Sequence, residues 1–336
     1  MRAWCVVVAK DRGEEVRRVL RDGGHLLPHV SVLREADRLF FPTKARIDIG
    51  FPTEEREFAA AFAPVRSYKN VVEVPDRLRR LLPTAFDVIG DIAVLRIPDE
   101  LDAHVGAIGE ALLRWNPRLR VAARDRGVAG ERRVRRIEVI AGEPRTTTVH
   151  VEFGLRYHVD VAKAYFSPRL GTERIRVASQ IREGETVADP FAGVGPYAIL
   201  IARRRKPSRV VASDANPDAV ALLRTNVAVN RADRVEVREG DGHETLRSVA
   251  PVGRVILDLP HAAMDFLPDA IDALGPVGTV HLYGILSPLE REHRVMEIRE
   301  TVARADRRIL DLVVHNVRAY SPAQHHVAFD LTVDRG

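Results

Sequence analysis

Four acids stand where a parallel sheet would end its strands. Asp189 in VADPFAGVG, Asp214 in VASDANP, Asp241 in REGDG and Asp258 in ILDLP each follow a short apolar run, and Asp214 lies 25 residues past Asp189. Between the first two sits a glycine pair, Gly193 and Gly195. A glycine in a strand-to-helix turn lets the backbone approach a ligand with no Cβ in the way. Dinucleotide folds use GxGxxG so that a pyrophosphate can rest on a helix N-terminus. Ala198 occupies the third position here, which that pattern tolerates, but Pro196 follows the second glycine and removes an N–H where a pyrophosphate needs donors. Asp189 would also place a negative charge beside the phosphate. The arrangement suits a cationic ligand with an amino-acid end, such as S-adenosylmethionine. Asp214 then stands where an acid takes ribose hydroxyls, and Asp241 can reach an adenine amino group. The blander reading is that each acid caps a helix.

The elements around these acids have the rhythm that such a site requires. From about residue 170, TERIRVASQIR reads as a helix, ETVADPF as a strand, GPYAILIARRR as a helix, RVVASDA as a strand and PDAVALLRTNVAVNR as a helix. RVEVREGD, GRVILDLP and GTVHLYGIL continue as strands, with the helix AAMDFLPDAIDAL between the last two. RRILDLVVHNVRAYSP and QHHVAFDLTVDR complete the sheet. This alternation predicts an α/β fold with a doubly wound, mostly parallel sheet that binds ligands at the carboxyl ends of its strands. Two smaller regions precede it. Residues 3–9 read as a strand, 14–22 as a helix and 29–43 as a hairpin-like pair. Residues 70–160 read as an α+β module, with strands in DIAVLRIP, RRVRRIEVIAG, TTTVHVEFG and LRYHVDVA and a helix in DELDAHVGAIGEALLRWNP. The expected domains are 1–67, 68–158 and 159–336.

Composition narrows the class. The chain has 336 residues, 46% hydrophobic and 29% charged, as expected of a globular protein with a core. No apolar run reaches the roughly 18–20 residues of a membrane span, and MRAWCVVVAKDRGEE turns charged too early for a secretory signal. A single cysteine, Cys5, excludes an internal disulfide and a cysteine-rich metal site. The cytoplasm is the expected location. Net charge is +5, and the basic residues are nearly all arginine, whose fork suits phosphates and is compatible with nucleic acid. His243, His261, His281, His325 and His326 show no metal-ligand spacing, so no metal is expected.

Several stretches resemble one family over essentially the whole chain. DPFAGVGPYAI, SDANPDAVALLRTNVAVN and DLPHAAMDFL are similar to the class I methyltransferase domain of the archaeal and eukaryotic tRNA (guanine-N1)-methyltransferases that act at position 37. FGLRYHVDVAKAYFSPRLGTERIRVA resembles their more distinctive segment before the glycine loop, FDVIGDIAVLRIP their middle domain, and RAWCVVVAKDRGEEVRRVL the small first domain of the archaeal members. Related wyosine-pathway enzymes share much of this. The resemblance implies a Rossmann-like methyltransferase domain, S-adenosylmethionine as cofactor, tRNA as partner and a monomer.

Guanine N1 carries a proton at neutral pH. A base must remove it, and a cation should steady the charge that develops on O6. By the resemblance, Glu173 in GTER is the base; the blander reading is a first-turn acid favoured by the helix dipole. Arg133 or Arg135 in RRVRRIE is the cation, the alternative being a phosphate-binding stripe. Tyr165 and Arg169 in YFSPRL line the methionine end of the cofactor or the target base, with a core role as the rival for Tyr165. Pro260 shapes the loop against a base splayed from the anticodon loop. Phe191, Asn216 and Gly242 lie in the cofactor motifs and are expected contacts, together with Asp189, Gly193, Gly195, Pro196, Asp214, Asp241 and Asp258. The chain departs from the family at Asp258, where asparagine is usual: an ionised aspartate can only accept. It could accept from a guanine amino group or N1 proton, or compete with Glu173 as base. The alternatives are aminocarboxypropyl transfer on tRNA or methyl transfer to a modified guanosine, a nicotinamide oxidoreductase, and a non-catalytic RNA-binding module.

Overall fold

The computed structural model describes residues 1–27, 30–59, 67–129 and 134–335. They form two compact units that divide at Val72/Glu73. In the first, strands β1 (Arg2–Ala9), β2 (Leu33–Glu35), β3 (Arg38–Thr43) and β4 (Thr53–Glu57) make an antiparallel sheet in the order β2-β3-β1-β4. Helix α1 (Gly13–Asp22) buries Val16 and Leu20 in a cluster with Val6, Val8 and Phe41. The spacing of these residues is what identified a strand and a helix here.

The second unit begins with α2 (Asp76–Arg79) and a four-stranded sheet of β5 (Asp87–Ile89), β6 (Ile92–Leu95), β7 (Val121–Ala129) and β8 (Val134–Gly142), with α3 (Val105–Trp115) between β6 and β7. Strand β7 was not expected, because charges interrupt VAARDRGVA. Its Arg124 is buried and held by Asp99 and Asp102, with Nη2 also donating to the Ile97 carbonyl at 2.8 Å. The charge is neutralised by partners more than twenty residues away, which local alternation does not register. The hairpin of β9 (Thr147–Glu152) and β10 (Leu155–Asp160) follows.

The remaining chain builds a seven-stranded sheet in the order β13-β12-β11-β14-β15-β17-β16. Its elements are α4 (Gly171–Ser179), β11 (Thr186–Asp189), α5 (Pro196–Arg204), β12 (Arg209–Asp214), α6 (Pro217–Val229), β13 (Val235–Glu239), α7 (Gly242–Val249), β14 (Val252–Leu257), α8 (Leu267–Ala273), β15 (Leu274–Leu286), α9 (Pro288–Arg304), β16 (Arg307–Ala319) and β17 (His325–Arg335). Strands β11 to β15 pair in parallel, and β15, β17 and β16 are antiparallel. Helix α9 was not read from the sequence, although its start carries a capping box of Ser287 and Glu290.

Two apolar cores cover the two faces of this sheet. One contains Val187, Val210, Ile256, Val177 and Tyr197, and it runs on to Tyr157 and to Ile92, Val94 and Val121 of the four-stranded sheet. The α+β module and the large sheet therefore share a core. The other face holds Val255, Leu257, Leu267, Ile271 and Phe329. Asn226 on α6 and Asn230 at its C-terminal cap face the backbone of β10. Asn226 accepts from the His158 amide and donates to the His158 carbonyl, and Asn230 does the same at Arg156. The two amides four residues apart replace a missing strand partner. No described helix is long and apolar enough to cross a membrane.

Candidate active site

The parallel strands bring the four acids to one edge of the sheet, but in different states. Asp189 is 1% exposed. Among the described residues, neither of its oxygens meets a donor in bonding geometry. Burial, followed by the charges of Asp258 and Asp214, pushes its carboxyl well above the usual carboxylate range, and the nearby amides of Phe191 and Ala198 offset this only in part. Asp214 accepts from the Gly193 amide at 2.8 Å and the Asn216 amide at 2.9 Å, yet burial still raises it. Asp258, half-buried after β14, is pushed up to about 6 by burial and by Glu173, against the pull of Arg174 and Arg318. All three carboxyls are raised chiefly by burial, and a cation placed among them would oppose that shift.

Asp241 follows the blander expectation. It is exposed, and its side chain caps α7 by accepting from the His243 amide at 2.8 Å. Asn216 caps α6 in the same way and donates to the Lys163 carbonyl at 2.7 Å. The two glycines also differ. Gly193 has φ +55, and a Cβ there would meet only the Tyr165 carbonyl, at 3.4 Å. Gly195 has φ +91, and a Cβ would strike Leu223 at 2.3 Å and Ile199 at 3.0 Å. The packing of α5 on α6 thus already requires a residue without a Cβ at Gly195. Pro196 opens α5, and its carbonyl faces the Tyr157 hydroxyl at 3.4 Å. Beyond β13, a Cβ on Gly242 would touch the rings of Phe191 and Phe266 at 3.0 Å. These rings meet edge to face at 4.7 Å, and His243, bonded to Asp269, stacks on Phe266 at 4.0 Å. The result is an apolar shelf next to the acids.

Glu173, in the first turn of α4, is 5% exposed. Its Oε1 accepts from the Tyr283 hydroxyl at 2.7 Å, and Arg176 donates to both its oxygens, at 2.7 and 2.8 Å. The Tyr197 hydroxyl, just inside α5, donates to that of Tyr283 at 3.1 Å, so a chain of hydroxyls joins the glycine-loop helix to Glu173. Burial first, then neighbouring negative charge, raises both tyrosines, which stay protonated as donors. Arg174 points elsewhere: it is buried, clamps Glu152 at 2.7 and 2.9 Å and donates to the Ser167 carbonyl at 2.7 Å. Pro260 is half-buried in the turn after Asp258, where the Ala262 amide closes on the Leu259 carbonyl at 2.9 Å.

Arg133 lies outside the described residues. Arg135, on β8, is 3.6 Å from Asp87 and 3.8 Å from Asp125, and its guanidinium stands 5.1 Å over the Tyr165 ring. Arg169 donates to the same Asp87 at 2.6 Å. Tyr165 is 52% exposed, so it is not a core residue. The sequence reading had missed Tyr197, Tyr283, Arg174, Arg176 and Asp330. Only Arg176 had a local signal, its i,i+3 spacing from Glu173.

Residues 148–311 match the model of the TRM5/TYW2 methyltransferase domain, and residues 69–146 match that of the TYW2 N-terminal domain. The tRNA (guanine(37)-N(1))-methyltransferase Trm5b of Pyrococcus abyssi is 38% identical over 98% of this chain and 98% of its own. A crystal structure of wild-type Trm5b from that organism superposes with a TM-score of 0.84 at 37% identity, covering 99% of both chains. An aTrm5 structure in complex with tRNALeu gives a TM-score of 0.77 at 29% identity, over 98% of this chain and 99% of the other. A structure of Methanocaldococcus jannaschii Trm5 in complex with adenosine gives 0.66 at 29% identity, over 98% of each.

Proposed function

This chain belongs to the TRM5/TYW2 methyltransferase family, and from that premise we propose that it transfers a methyl group from S-adenosylmethionine to N1 of guanosine 37 in tRNA. It acts in the cytoplasm as a monomeric RNA-binding enzyme. Residues 159–336 do the chemistry, 68–158 grip the tRNA and 1–67 add a recognition contact.

The observation that carries the reading is the clamped, buried Glu173 beside strand-end acids whose carboxyls burial raises. Asp189 and Asp214 fit the cationic amino group and a ribose, and the Phe191–Phe266 shelf fits a flat ring. S-adenosylmethionine supplies an electrophilic methyl, whose bond to sulfur breaks with the electron pair going to sulfur as the N1–CH3 bond forms. Glu173 takes the N1 proton, and the N–H electron pair stays in the ring to make the new bond. Arg135, or Arg133, steadies the charge that develops on O6. Asp258 accepts from the 2-amino group, and Pro260 walls the base. Arginine contacts to phosphates make tRNA binding steeply salt-dependent.

The test is methyl transfer to tRNA transcripts carrying guanosine or inosine at position 37, with mass analysis of the product. A gain of one methyl on guanosine is expected. The match to the TYW2 N-terminal domain favours aminocarboxypropyl transfer as the second reading, and a larger adduct would establish it. Inosine lacks the amino group, so an equal rate on inosine would refute the role given to Asp258. Glu173→Gln should slow transfer by about 10²–10⁴-fold, the usual contribution of a general base, with tRNA affinity nearly unchanged.

A further inference from the structure

Glu173 is one end of a buried chain of side chains that crosses the sheet. Arg176 holds both Glu173 oxygens and both oxygens of Asp330 on β17, with Nη2 3.0 Å from Oδ1 and Nη1 on Oδ2. Asp330 also accepts from Gln180 Nε2 at 2.9 Å and from His281 Nδ1 at 2.7 Å. On its far side, His281 Nε2 meets Arg254 Nη1 at 2.8 Å, and Arg254 ends on Glu185 at 3.0 Å. A guanidinium only donates, so Nε2 must be the acceptor and the proton must sit on Nδ1, facing Asp330. His281 is therefore neutral, and its burial opposes a charge there. The strand register builds this chain. His281 and Asp330 are direct cross-strand partners, and Tyr283, two residues on from His281, shares its face of β15.

A base needs two things from such surroundings. Its carboxylate must be fixed while ionised, and it must be able to become neutral once the proton arrives. Arg176 alone meets only the first need: protonating Glu173 would then leave a half-buried guanidinium without a counter-charge, which is unfavourable. With Asp330 present, Arg176 keeps a full counter-charge in either state of Glu173.

We infer that Arg176 and Asp330 are positioning residues for the methyl transfer, Arg176 aiming the Glu173 carboxylate and Asp330, oriented by His281, freeing it to accept the N1 proton. This rests on Glu173 being the base. Neither residue touches substrate; both act through Glu173.

Single-turnover methyl transfer at saturating tRNA and S-adenosylmethionine tests the inference in Glu173→Gln, Arg176→Met, Asp330→Asn, His281→Asn and the Glu173→Gln/Asp330→Asn double variant. Rates are scaled to the fraction that binds S-adenosylhomocysteine, which removes loss of folding from the comparison. Arg176→Met and Asp330→Asn should each slow the chemical step by about 10–100-fold, the scale of a misplaced reacting group. His281→Asn should act in the same direction but more weakly, and it preserves the ion pair should Asp330→Asn fail to fold. Affinities for tRNA and S-adenosylhomocysteine should stay within about twofold, and Asp330→Asn should add no further loss once Glu173 is glutamine. A Glu173→Gln enzyme of normal rate would remove the base assignment itself. A slow Glu173→Gln beside Asp330→Asn and His281→Asn enzymes of normal rate would overturn only this inference, and so would losses that simply add.

Discussion

The two halves of the seven-stranded sheet treat buried carboxylates in opposite ways. In the parallel half, Asp189 has no bonded partner among the described residues and is pushed up, with Asp214 and Asp258 raised beside it. In the antiparallel half, Asp330 is also buried but receives Arg176, Gln180 and His281, and these donors hold its carboxyl well below the usual range against the effect of burial. Asp189 and Asp330 are both buried, and what separates them is the donors on Asp330 and the like charges of Asp258 and Asp214 beside Asp189. Asp189 is left without a bonded donor among the described residues, Asp214 keeps two backbone amides, and the saturated Asp330 holds Arg176 against Glu173. Their stabilities should therefore respond to pH with opposite signs.

The largest effect expected from breaking this contrast is on the saturated side. Asp330→Asn leaves Arg176 with Glu173 as its one carboxylate partner and removes the anionic acceptor of the neutral His281 Nδ1–H; it should destabilise the protein by about 2–3 kcal/mol at pH 7, as when buried hydrogen bonds to a charged group are lost. Because the folded carboxyl is depressed, its contribution is present above the unfolded value near 4 and disappears as pH falls. Because that folded value lies well below the usual carboxylate range, urea unfolding should show the full deficit at pH 7 and a smaller one only near pH 2. An equal deficit at both would mean that the frame works by shape alone.

On the unpaired side, Asp189→Asn should not destabilise the ligand-free protein, because it removes an uncompensated charge. It should instead weaken S-adenosylhomocysteine binding by about 10–100-fold, the worth of a hydrogen bond to a charged group. Calorimetric titration measures this directly. A variant that binds normally but unfolds more easily would reverse the roles assigned to the two halves.

The smallest effect belongs to Asp258. Its folded value of about 6 exceeds the unfolded one, so the stability it contributes is complete below pH 4 and is lost as pH rises toward 6. Asp258→Asn should then gain on the order of 1–2 kcal/mol at pH 7 and nothing at pH 4, in the ligand-free protein. A gain of the same size at both pH values would show that the effect does not come from its charge.

Much of this site could be read from the chain because it is written locally. The strand-end acids, the Pro196 turn and the alternation from residue 170 onward depend on neighbours within a few positions, where period and turn chemistry act. The same local logic explains why Asp241 and Asn216 serve as helix caps, a role their positions before α7 and α6 already offered. It also put Glu173 at a helix start, while its proposed role as base came from the family resemblance. What surrounds Glu173 could not be read this way. Tyr283 is 110 residues from it, and Asp330 lies 154 residues beyond Arg176. A sequence sets which residues can ionise and donate. Whether a given carboxylate ends up unpaired or saturated depends on which strands pair and in what register, and in this protein only the packing of β15 and β17 under α4 decided that.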